Sequence, residues 1–480
     1  PGVKVYPFKT IEAGAAIHTN LIWESRGITT LFGRDGVGGL VNVDITSEVA
    51  ARLGVAYGTT LPRGARVVCS RDAHPSSRMV KRAIIAGLVS TGVNVADLRI
   101  SPPTVNRHEL KVGERAGGLH VRVSTDDPDV TQVSFFAPPG ILVAGADLKA
   151  IEQTFSRQEF RRVSPGEIGG LMYPARATES YVQELLGSLD RDAIRSRSFR
   201  IVLNYGMSAA SLVIPSLIGE LGVEMVALNA FIDSASVSPH LDTARALDDT
   251  TGLVHGVGAD LGVLIDNPAE RVWLVDERGN QISPETVLLL FVRELAASNG
   301  RGTLLVPITE SRMVEEMAAG HGVVVERTKA SLGALLAAAA ADGVVFAGAS
   351  GGGYVFPSFL PAYDAIMSLG KLLELVAHSG RTLSELVEGL PRSTLVHVRE
   401  PCPWSAKGLA MRQLIEAVKG KQVDNTDGIK VFEPEGWVQV LPDPDEPVFH
   451  VYAEGASLED SQALEEKYRA MLDGFVSANV

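Results

Sequence analysis

The chain of 480 residues has a formal net charge of −13, is 45% hydrophobic and 21% charged, and contains 48 glycines. This composition is typical of a globular α/β protein and excludes a disordered or fibrous chain. The negative charge gives no overall attraction for nucleic acid or an anionic membrane. Its apolar runs are too short to span a bilayer and no secretion signal opens it, so we expect a cytoplasmic protein.

The first 25 residues differ from the rest of the chain. Val5, Ile11 and Ile17 recur every six residues, with small residues between them. A period of six is typical of the hexapeptide parallel β-helix, whose coils must stack to be stable. Residues 1–25 therefore predict the tail of a left-handed parallel β-helix continuing from a longer protein; chance spacing in a loop is the alternative.

One pattern then recurs three times: an apolar strand, a polar turn, a helix, and Gly-Val leading a second strand. The first strands begin near Arg66, Phe199 and Thr303. Crossovers of this kind favour parallel sheets, so we predict an α/β protein of three similar mixed α/β domains. The remainder has four strand-like segments and a closing helix, which predicts an α+β domain. The predicted domains span residues 26–165, 166–280, 281–380 and 381–480.

An acidic hairpin lies near the end of the second repeat. An apolar run ends at Asp266, Glu270 and Arg271 follow, and the chain returns as a second apolar run. Carboxylates beside an arginine could hold a divalent cation for chemistry on phosphate. A polar hairpin tip with a solvated ion pair explains the same residues.

Several landmarks resemble, in the same order, those of the phosphohexomutases, the family of phosphomannomutase and phosphoglucomutase. Residues 32–39 resemble its opening glycine motif, and residues 70–77 resemble its Gly-Arg-Asp-x-Arg-x-Ser segment. The front of the chain resembles proteins that fuse a sugar-phosphate nucleotidyltransferase of the mannose-1-phosphate guanylyltransferase type, a hexapeptide β-helix and a mutase-like domain. The resemblance implies such a nucleotidyltransferase before Pro1, and we expect a homo-oligomer.

The family transfers phosphate between the 1- and 6-positions of a hexose through a phosphoserine, while Mg²⁺ neutralises charge. Matching prolines places its Thr-Ala-Ser-His-Asn-Pro loop on residues 123–128, with Thr125 at the nucleophile position and Ser124 one position earlier. Either hydroxyl is a candidate, although two adjacent aspartates repel phosphate unless a cation intervenes. An Asx-rich turn is the alternative. Arg34 and Arg271 are expected to meet phosphate oxygens.

The metal loop of the family, Asp-Gly-Asp-Gly-Asp-Arg, matches residues 266–271. Asp266 supplies the first carboxylate, Pro268 replaces the middle one, and Glu270 takes the last position before Arg271. Mg²⁺ prefers a near-octahedral set of oxygen ligands, and proline stiffens the loop. We therefore expect Mg²⁺ to bind weakly or not at all.

The sugar loop of the family, Gly-Glu-x-Ser-Gly-His, matches residues 348–353, where both the acid and the histidine are absent. Ser350 and Gly351 remain candidates for ligand contact, because glycine lets backbone N–H groups approach a ligand. A simple flexible turn is the alternative.

The phosphate loop of the family, Arg-x-Ser-Gly-Thr-Glu-Pro, matches residues 441–447. Its donors are replaced by Asp443, Asp445 and Glu446, which only accept hydrogen bonds when ionised. A like-charge contact at about 4 Å costs roughly 4 kcal/mol at an effective dielectric near 20. The loop should therefore reject a bare phosphate dianion, and could instead bind a cation, accept sugar hydroxyls or form a solvated acidic tip.

Two functions follow from these altered loops. In the first, the chain is a phosphohexomutase of hexose-phosphate and nucleotide-sugar metabolism whose degenerate site lowers or abolishes activity. In the second, it is a non-catalytic sugar-phosphate-binding, regulatory or oligomerisation module of the fusion. The ligand is a hexose phosphate in both, and the rewritten sugar loop does not specify mannose or glucose.

Overall fold

The computed structural model describes Gly33 and residues 36–125, 127–232, 242–444 and 446–477. The predicted β-helix tail lies outside the described residues, as do Arg34 and Asp445. The chain divides into two compact units. Of the described residues, the first unit comprises the chain up to Pro138, Val143–Ala177 and residues 231–232, and the second comprises Pro139–Leu142, Thr178–Ala230 and the chain from Asp242 onward.

The first unit is a mixed sheet with helices packed against it. Up to residue 172 the elements are β1 (Val37–Leu40), α1 (Ser47–Thr60), β2 (Arg66–Arg71), α2 (Pro75–Val89), β3 (Asn94–Ile100), α3 (Pro103–Val112), β4 (Gly117–Val123), β5 (Val130–Ala137), β6 (Ile141–Leu142, in the second unit), α4 (Gly145–Arg157) and β7 (Leu171–Met172). The sheet order is β1-β5-β4-β2-β3-β7. β2 runs parallel to β3 and β4, so the predicted β-α-β crossover is present.

The second unit contains three further sheets. Its helices and strands are α5 (Ala177–Gly187, whose first residue belongs to the first unit), α6 (Arg191–Arg197), β8 (Arg200–Asn204), α7 (Ile214–Leu221), β9 (Glu224–Leu228), α8 (Thr243–Val257), β10 (Leu261–Ile265), β11 (Val272–Asp276), β12 (Gln281–Ile282), α9 (Pro284–Asn299), β13 (Gly302–Pro307), α10 (Met313–Ala318), β14 (Val323–Thr328), α11 (Leu332–Ala339), β15 (Val344–Gly348), β16 (Tyr354–Val355), α12 (Ala365–Ser379), α13 (Leu383–Val387), β17 (Val396–Pro401), α14 (Trp404–Ala417), β18 (Gln422–Asp424), β19 (Ile429–Glu433), β20 (Gly436–Pro442), β21 (Val448–Gly455) and α15 (Leu458–Ser477). Short 3-10 helices lie at Pro165–Glu167, in the first unit, and at Ala209–Leu212.

The sheets of the second unit follow the predicted architecture. Their strand orders are β12-β11-β10-β8-β9, β14-β13-β15-β16 and β17-β21-β20-β19-β18. The first two contain parallel pairs, whereas the third is antiparallel throughout. The prediction of three mixed α/β domains followed by an α+β domain is therefore confirmed.

Burial explains why these segments form these strands. β10 reads Leu-Gly-Val-Leu-Ile and is buried at every position, as expected for a strand covered on both faces. β17 instead alternates between half-buried and exposed positions, as expected for a strand with one face toward solvent. Both cysteines are buried free thiols. None of the helices in the described part of the chain combines the length and apolar character needed to cross a bilayer.

Candidate functional site

The loop at residues 266–271 joins β10 to β11 and is closed by its own backbone. The N–H of Asp266 donates to the carbonyl of Arg271 (3.2 Å), and the N–H of Ala269 donates to the carbonyl of Asp266 (2.9 Å). The Asp266 carboxylate turns inward as well, because its Oδ1 accepts from the N–H groups of Glu270 (2.7 Å) and Arg271 (2.9 Å). Asp266 therefore holds the loop together.

Asp266 is only 8% exposed, so a solvated ion pair is wrong for this residue. Burial raises the pKa of its carboxyl to about 6, and the adjacent Glu270 carboxylate adds to the rise. Arg271 and the two amide donors act in the opposite direction. Ionised Asp266 is thus disfavoured in the folded protein relative to a solvated aspartate.

The residues of this loop do not fit Mg²⁺ well. Asp266 and Glu270 are its two carboxylates, and Oδ1 of Asp266 already accepts two amide hydrogen bonds. In the described part of the chain, no group of three or more His, Cys, Asp or Glu side chains is arranged to hold a metal ion. Mg²⁺ favours octahedral oxygen coordination and usually keeps several waters. The arrangement of these residues therefore does not support a Mg²⁺-dependent chemical step at this loop.

The sugar-loop position lies directly against this loop. Arg271 forms an antiparallel bridge with Gly353, and the N–H of Val272 donates to the carbonyl of Gly352 (3.0 Å). Gly352 has a φ of +85°, and a Cβ added there would lie 2.7 Å from the carbonyl oxygen of Val272. A Cβ added to Gly353 would lie 2.4 Å from the ring of Tyr363. The glycines are therefore required by close packing.

Asp364 fixes the start of α12 beside the same loops. Its Oδ1 accepts from the N–H groups of Ile366 and Met367, both at 3.0 Å, and the hydroxyl of Tyr181 donates to its carboxylate. The next residue, Ala365, donates its N–H to the carbonyl of Ala269 (3.0 Å). The N-terminal end of α12 thus positions the loop at residues 266–271.

Glu310 is a carboxylate that sequence reasoning missed. It follows β13, whose carboxyl end lies at the same sheet edge as that of its parallel neighbour β15. The N–H of Ser350, in the sugar-loop position, donates to its Oε1 (3.1 Å). Burial raises the pKa of Glu310 to about 7, with a smaller contribution from Glu285, while Ser350 and Arg327 oppose the rise. Only knowledge of the β13–β15 pairing could have indicated this contact.

The loop at residues 441–447 is closed in the same way as the loop at Asp266. Asp443 is 4% exposed; its N–H donates to the carbonyl of Val448 (3.0 Å), and its Oδ1 accepts from the N–H of Glu446 (2.8 Å). Its Oδ2 lies 2.8 Å from Nε2 of His450, and the Glu446 carboxylate pairs with Arg399. A solvated acidic tip is therefore wrong for Asp443.

His450 belongs to a short chain of polar contacts on the sheet. Its Nδ1 lies 2.9 Å from Nε2 of His397, whose ring stacks on Tyr452 at a centroid distance of 4.2 Å. Burial lowers the pKa of His397 to about 4, with smaller contributions from His450 and Arg399. His397 is therefore neutral at physiological pH.

The nucleophile position lies in the first unit, where two predicted landmarks meet. Asp72, from the segment at residues 70–77, accepts through Oδ2 from the N–H of Val123 (2.7 Å) and through Oδ1 from the N–H of His74 (2.9 Å). Ser124 is 4% exposed and its N–H donates to the carbonyl of Val130 (2.8 Å). Thr125 is half-buried, so it is the more accessible of the two candidate hydroxyls.

Of the predicted site residues, the structure brings together Asp266, Glu270, Arg271, Ser350 and Gly351 in the second unit. Asp443 and Glu446 lie on the C-terminal sheet of that unit. Ser124 and Thr125 lie in the first unit. Asp72 contacts the loop at the nucleophile position, and Glu310 contacts Ser350 in the sugar-loop position. Neither residue was predicted as a site residue.

The matches to known proteins cover most of the chain. Models of the phosphoglucomutase/phosphomannomutase α/β/α domains I, II and III match residues 29–162, 179–279 and 283–393. A phosphoglucomutase/phosphomannomutase of Thermococcus kodakarensis is 31% identical over 455 residues, covering 92% of this chain and 97% of that protein.

Solved structures show the same fold. A phosphoglucomutase/phosphomannomutase family protein from Burkholderia thailandensis superimposes with a TM-score of 0.82 at 21% identity, covering 93% of this chain and 97% of that one. An Aspergillus fumigatus N-acetylphosphoglucosamine mutase, solved with GlcNAc-6P and magnesium, gives a TM-score of 0.59 at 12% identity, covering 93% and 96%. The chain therefore belongs to the phosphoglucomutase/phosphomannomutase family, the phosphohexomutases.

Proposed function

We propose that this chain binds a hexose phosphate in the phosphohexomutase fold and carries out little or no phosphoryl transfer. The observation that carries the proposal is the inward-turned Asp266, whose Oδ1 accepts two amides of its own loop. In a loop that presents carboxylates to Mg²⁺, those oxygens must face the ion. Here the first carboxylate acts as an internal brace.

The altered sequence and the geometry support the same conclusion. Pro268 takes the place of the middle carboxylate, and Glu270 is the remaining one beside Asp266. Phosphoryl transfer depends on positioning and on neutralising the charge of the transferring group. Weak binding of the cation therefore predicts a slow or absent transfer step.

Several features favour retention of a sugar-phosphate ligand. Arg271 is exposed at the end of its loop, where a guanidinium can pair with phosphate oxygens. The glycine turn beside it is held by backbone contacts that tolerate no Cβ at Gly352, so its shape is maintained. The Aspergillus relative was solved with a hexosamine phosphate, and we infer the same ligand class here, with Ser350 and Gly351 contacting the sugar.

Any residual activity would depend on phosphorylation of a hydroxyl at the nucleophile position. A phosphoenzyme would form if Thr125 or the more buried Ser124 accepted a phosphoryl group. The donor would be a sugar bisphosphate: as the new O–P bond forms, one sugar O–P bond breaks, the sugar oxygen leaves and takes up a proton, and the accepting hydroxyl gives its proton to a base. We propose Thr125 as the site of any such phosphorylation, because its side chain is more exposed.

Two measurements on the purified chain test the proposal. Calorimetry with glucose 1-phosphate and mannose 1-phosphate should detect binding of at least one. A coupled assay with the matching 1,6-bisphosphate and Mg²⁺ should detect little or no turnover. Turnover abolished by Thr125→Ala or Ser124→Ala, while Ser134→Ala retains it, would overturn the non-catalytic part; absence of binding would overturn the ligand.

The β-helix tail and the fused nucleotidyltransferase stay predictions of the sequence. If the chain binds a sugar phosphate without turning it over, a regulatory role beside an enzyme that consumes sugar 1-phosphates becomes the better interpretation. The test is the nucleotidyltransferase rate of a longer chain with and without Arg271→Ala. If sugar phosphate changes the nucleotidyltransferase rate equally in the wild type and in Arg271→Ala, the regulatory role is contradicted.

A further inference from the structure

The second unit contains a buried carboxyl oxygen for which the fold supplies no donor. Glu310 is 4% exposed, and its Oε1 accepts from the N–H of Ser350 at 3.1 Å. Its Oε2 is buried and has no partner of hydrogen-bond geometry in the described part of the chain, although the Ser350 side chain also stabilises the ionised carboxyl. A buried acceptor without a donor has lost its hydration with nothing in return. Such an atom points to a partner outside the chain.

Two other buried acids of this unit, Asp364 and Glu454, are satisfied by protein donors. Asp364 accepts from two backbone N–H groups and from Tyr181. Glu454 accepts from the hydroxyl of Ser311, the N–H of Arg312 and Nε1 of Trp437 (2.8 Å). Both are fully enclosed structural acids. Glu310 differs because only one of its oxygens has a donor in the fold.

Glu310 also lies beside the turn where the family carries its sugar-binding acid. Residue 349, the position of that acid, is alanine here, and Ser350, the next residue, contacts Glu310. Gly351 is exposed, and a Cβ added to it would meet no atom within 4 Å. Glu310, in the turn after β13, thus lies next to the position of the missing acid, and the turn above it has open space at Gly351.

Carboxyl groups recognise sugars by hydrogen bonding to their hydroxyl groups, and a buried carboxyl oxygen can accept such a bond. We propose that Glu310 replaces the missing sugar-loop acid and accepts, through Oε2, a hydroxyl of the hexose bound at Ser350 and Gly351. This inference rests on the proposed function and adds to it the residue that selects the sugar.

A purely structural role for Glu310 makes a different prediction. If Glu310 only holds the turn through the N–H of Ser350, its loss weakens every ligand equally. If Oε2 accepts a sugar hydroxyl, its loss matters only for ligands that carry that hydroxyl. Deoxy sugars separate the two, because each lacks one hydroxyl and is otherwise unchanged.

The experiment measures affinity by calorimetry for glucose 1-phosphate or mannose 1-phosphate, whichever binds more tightly, and for its 2-, 3- and 4-deoxy analogues. The variant is Glu310→Gln, which keeps an acceptor for Ser350 and removes the carboxylate. Glu326→Gln, on an exposed position of β14, is the matched control. Glu310→Asp is a second variant, which keeps the carboxyl group and shortens its reach.

We expect the wild type and Glu326→Gln to lose about 10-fold or more in affinity for one of the deoxy analogues. Both Glu310 variants should lose a similar factor for the parent sugar and then bind that analogue as well as the parent. Variants that bind the parent like the wild type, or that still discriminate against the same analogue, overturn the role of Glu310 alone. If the wild type binds no sugar phosphate, the proposed function fails, and this inference fails with it.

Discussion

Two acidic loops of the second unit are closed in the same way but differ in the surroundings of their leading aspartate. Asp266 and Asp443 each close a hairpin through their N–H, and each accepts through Oδ1 from an amide three or four residues onward. Asp443 also has Nε2 of His450 at 2.8 Å from its other oxygen. Asp266 has instead the carboxylate of Glu270 nearby, and the pKa of Asp266 is raised to about 6.

The difference shows that two turns with the same hydrogen-bond pattern can differ in their electrostatics. A buried aspartate with a histidine partner is well suited to a structural loop. A buried aspartate beside another carboxylate is poorly suited to one, and such pairs are found where a cation can bind. In the loop at Asp266 two carboxylates therefore lie close together, and one of them accepts hydrogen bonds from its own backbone.

The largest expected effect is a pH-dependent gain in stability for Asp266→Asn. The folded-state pKa of Asp266, about 6, lies above the ordinary aspartate value of 3.8, so its contribution to stability is present below pH 4 and lost as the pH rises through 6. The rise corresponds to about 3 kcal/mol. Relative to wild type, the variant should gain about that much between pH 4 and pH 8 in urea unfolding. An equal difference at both pH values would contradict the raised pKa.

The second effect concerns the contact between the loops at residues 266–271 and 348–353. Gly352→Ala should lower the free energy of unfolding by about 2–3 kcal/mol, because its φ is +85° and the new Cβ meets the carbonyl of Val272. Gly351→Ala, where a Cβ meets nothing within 4 Å, is the matched control and should change it by less than about 0.5 kcal/mol. Equal effects of the two in thermal unfolding would contradict the close approach.

The third effect should have the opposite sign to that at Asp266. Asp443→Asn removes the charged acceptor facing His450 and should cost about 1–2 kcal/mol at neutral pH. Chemical denaturation gives the value, with Glu435→Ala, at an exposed turn position, as the control. If Asp443→Asn and Asp266→Asn shift stability in the same direction at pH 8, the contrast between the loops is wrong.

The smallest effect is a response to Mg²⁺ in a repaired loop. Pro268→Asp restores the middle carboxylate, and the variant should show a rise of about 1–2 °C in Tm with excess Mg²⁺, since a ligand that binds only the folded state raises stability. The wild type and Pro268→Ala should show none. A rise of the same size in all three proteins would indicate a Mg²⁺ site elsewhere.

Most of the fold could be predicted because local patterns of apolar and polar residues indicate the strands and helices. The continuous apolar run at Leu261–Ile265 indicates a strand buried on both faces, and the alternation at Val396–Pro401 indicates a strand with one face toward solvent. The loss of the middle carboxylate at Pro268 was likewise visible. The domain boundaries and the β-helix tail stay predictions.

Contacts that depend on strand pairing could not be predicted. Glu310 reaches Ser350 because β13 and β15 are neighbours and end at one edge, and nothing local in the sequence indicates that. The direction of the Asp266 side chain is equally hidden, because the same residues could face a cation or their own amides. Sequence identifies which groups are present, whereas the pairing of strands decides which atoms meet.

The most direct test is the mutase rate of the purified chain, measured with the 1-phosphate sugar that binds, its 1,6-bisphosphate and increasing Mg²⁺. If Asp266 is an internal brace, the rate should stay near background at every Mg²⁺ concentration, while calorimetry on the same sample detects the sugar. A rate that rises and saturates with Mg²⁺, and that Asp266→Asn abolishes, would contradict this account.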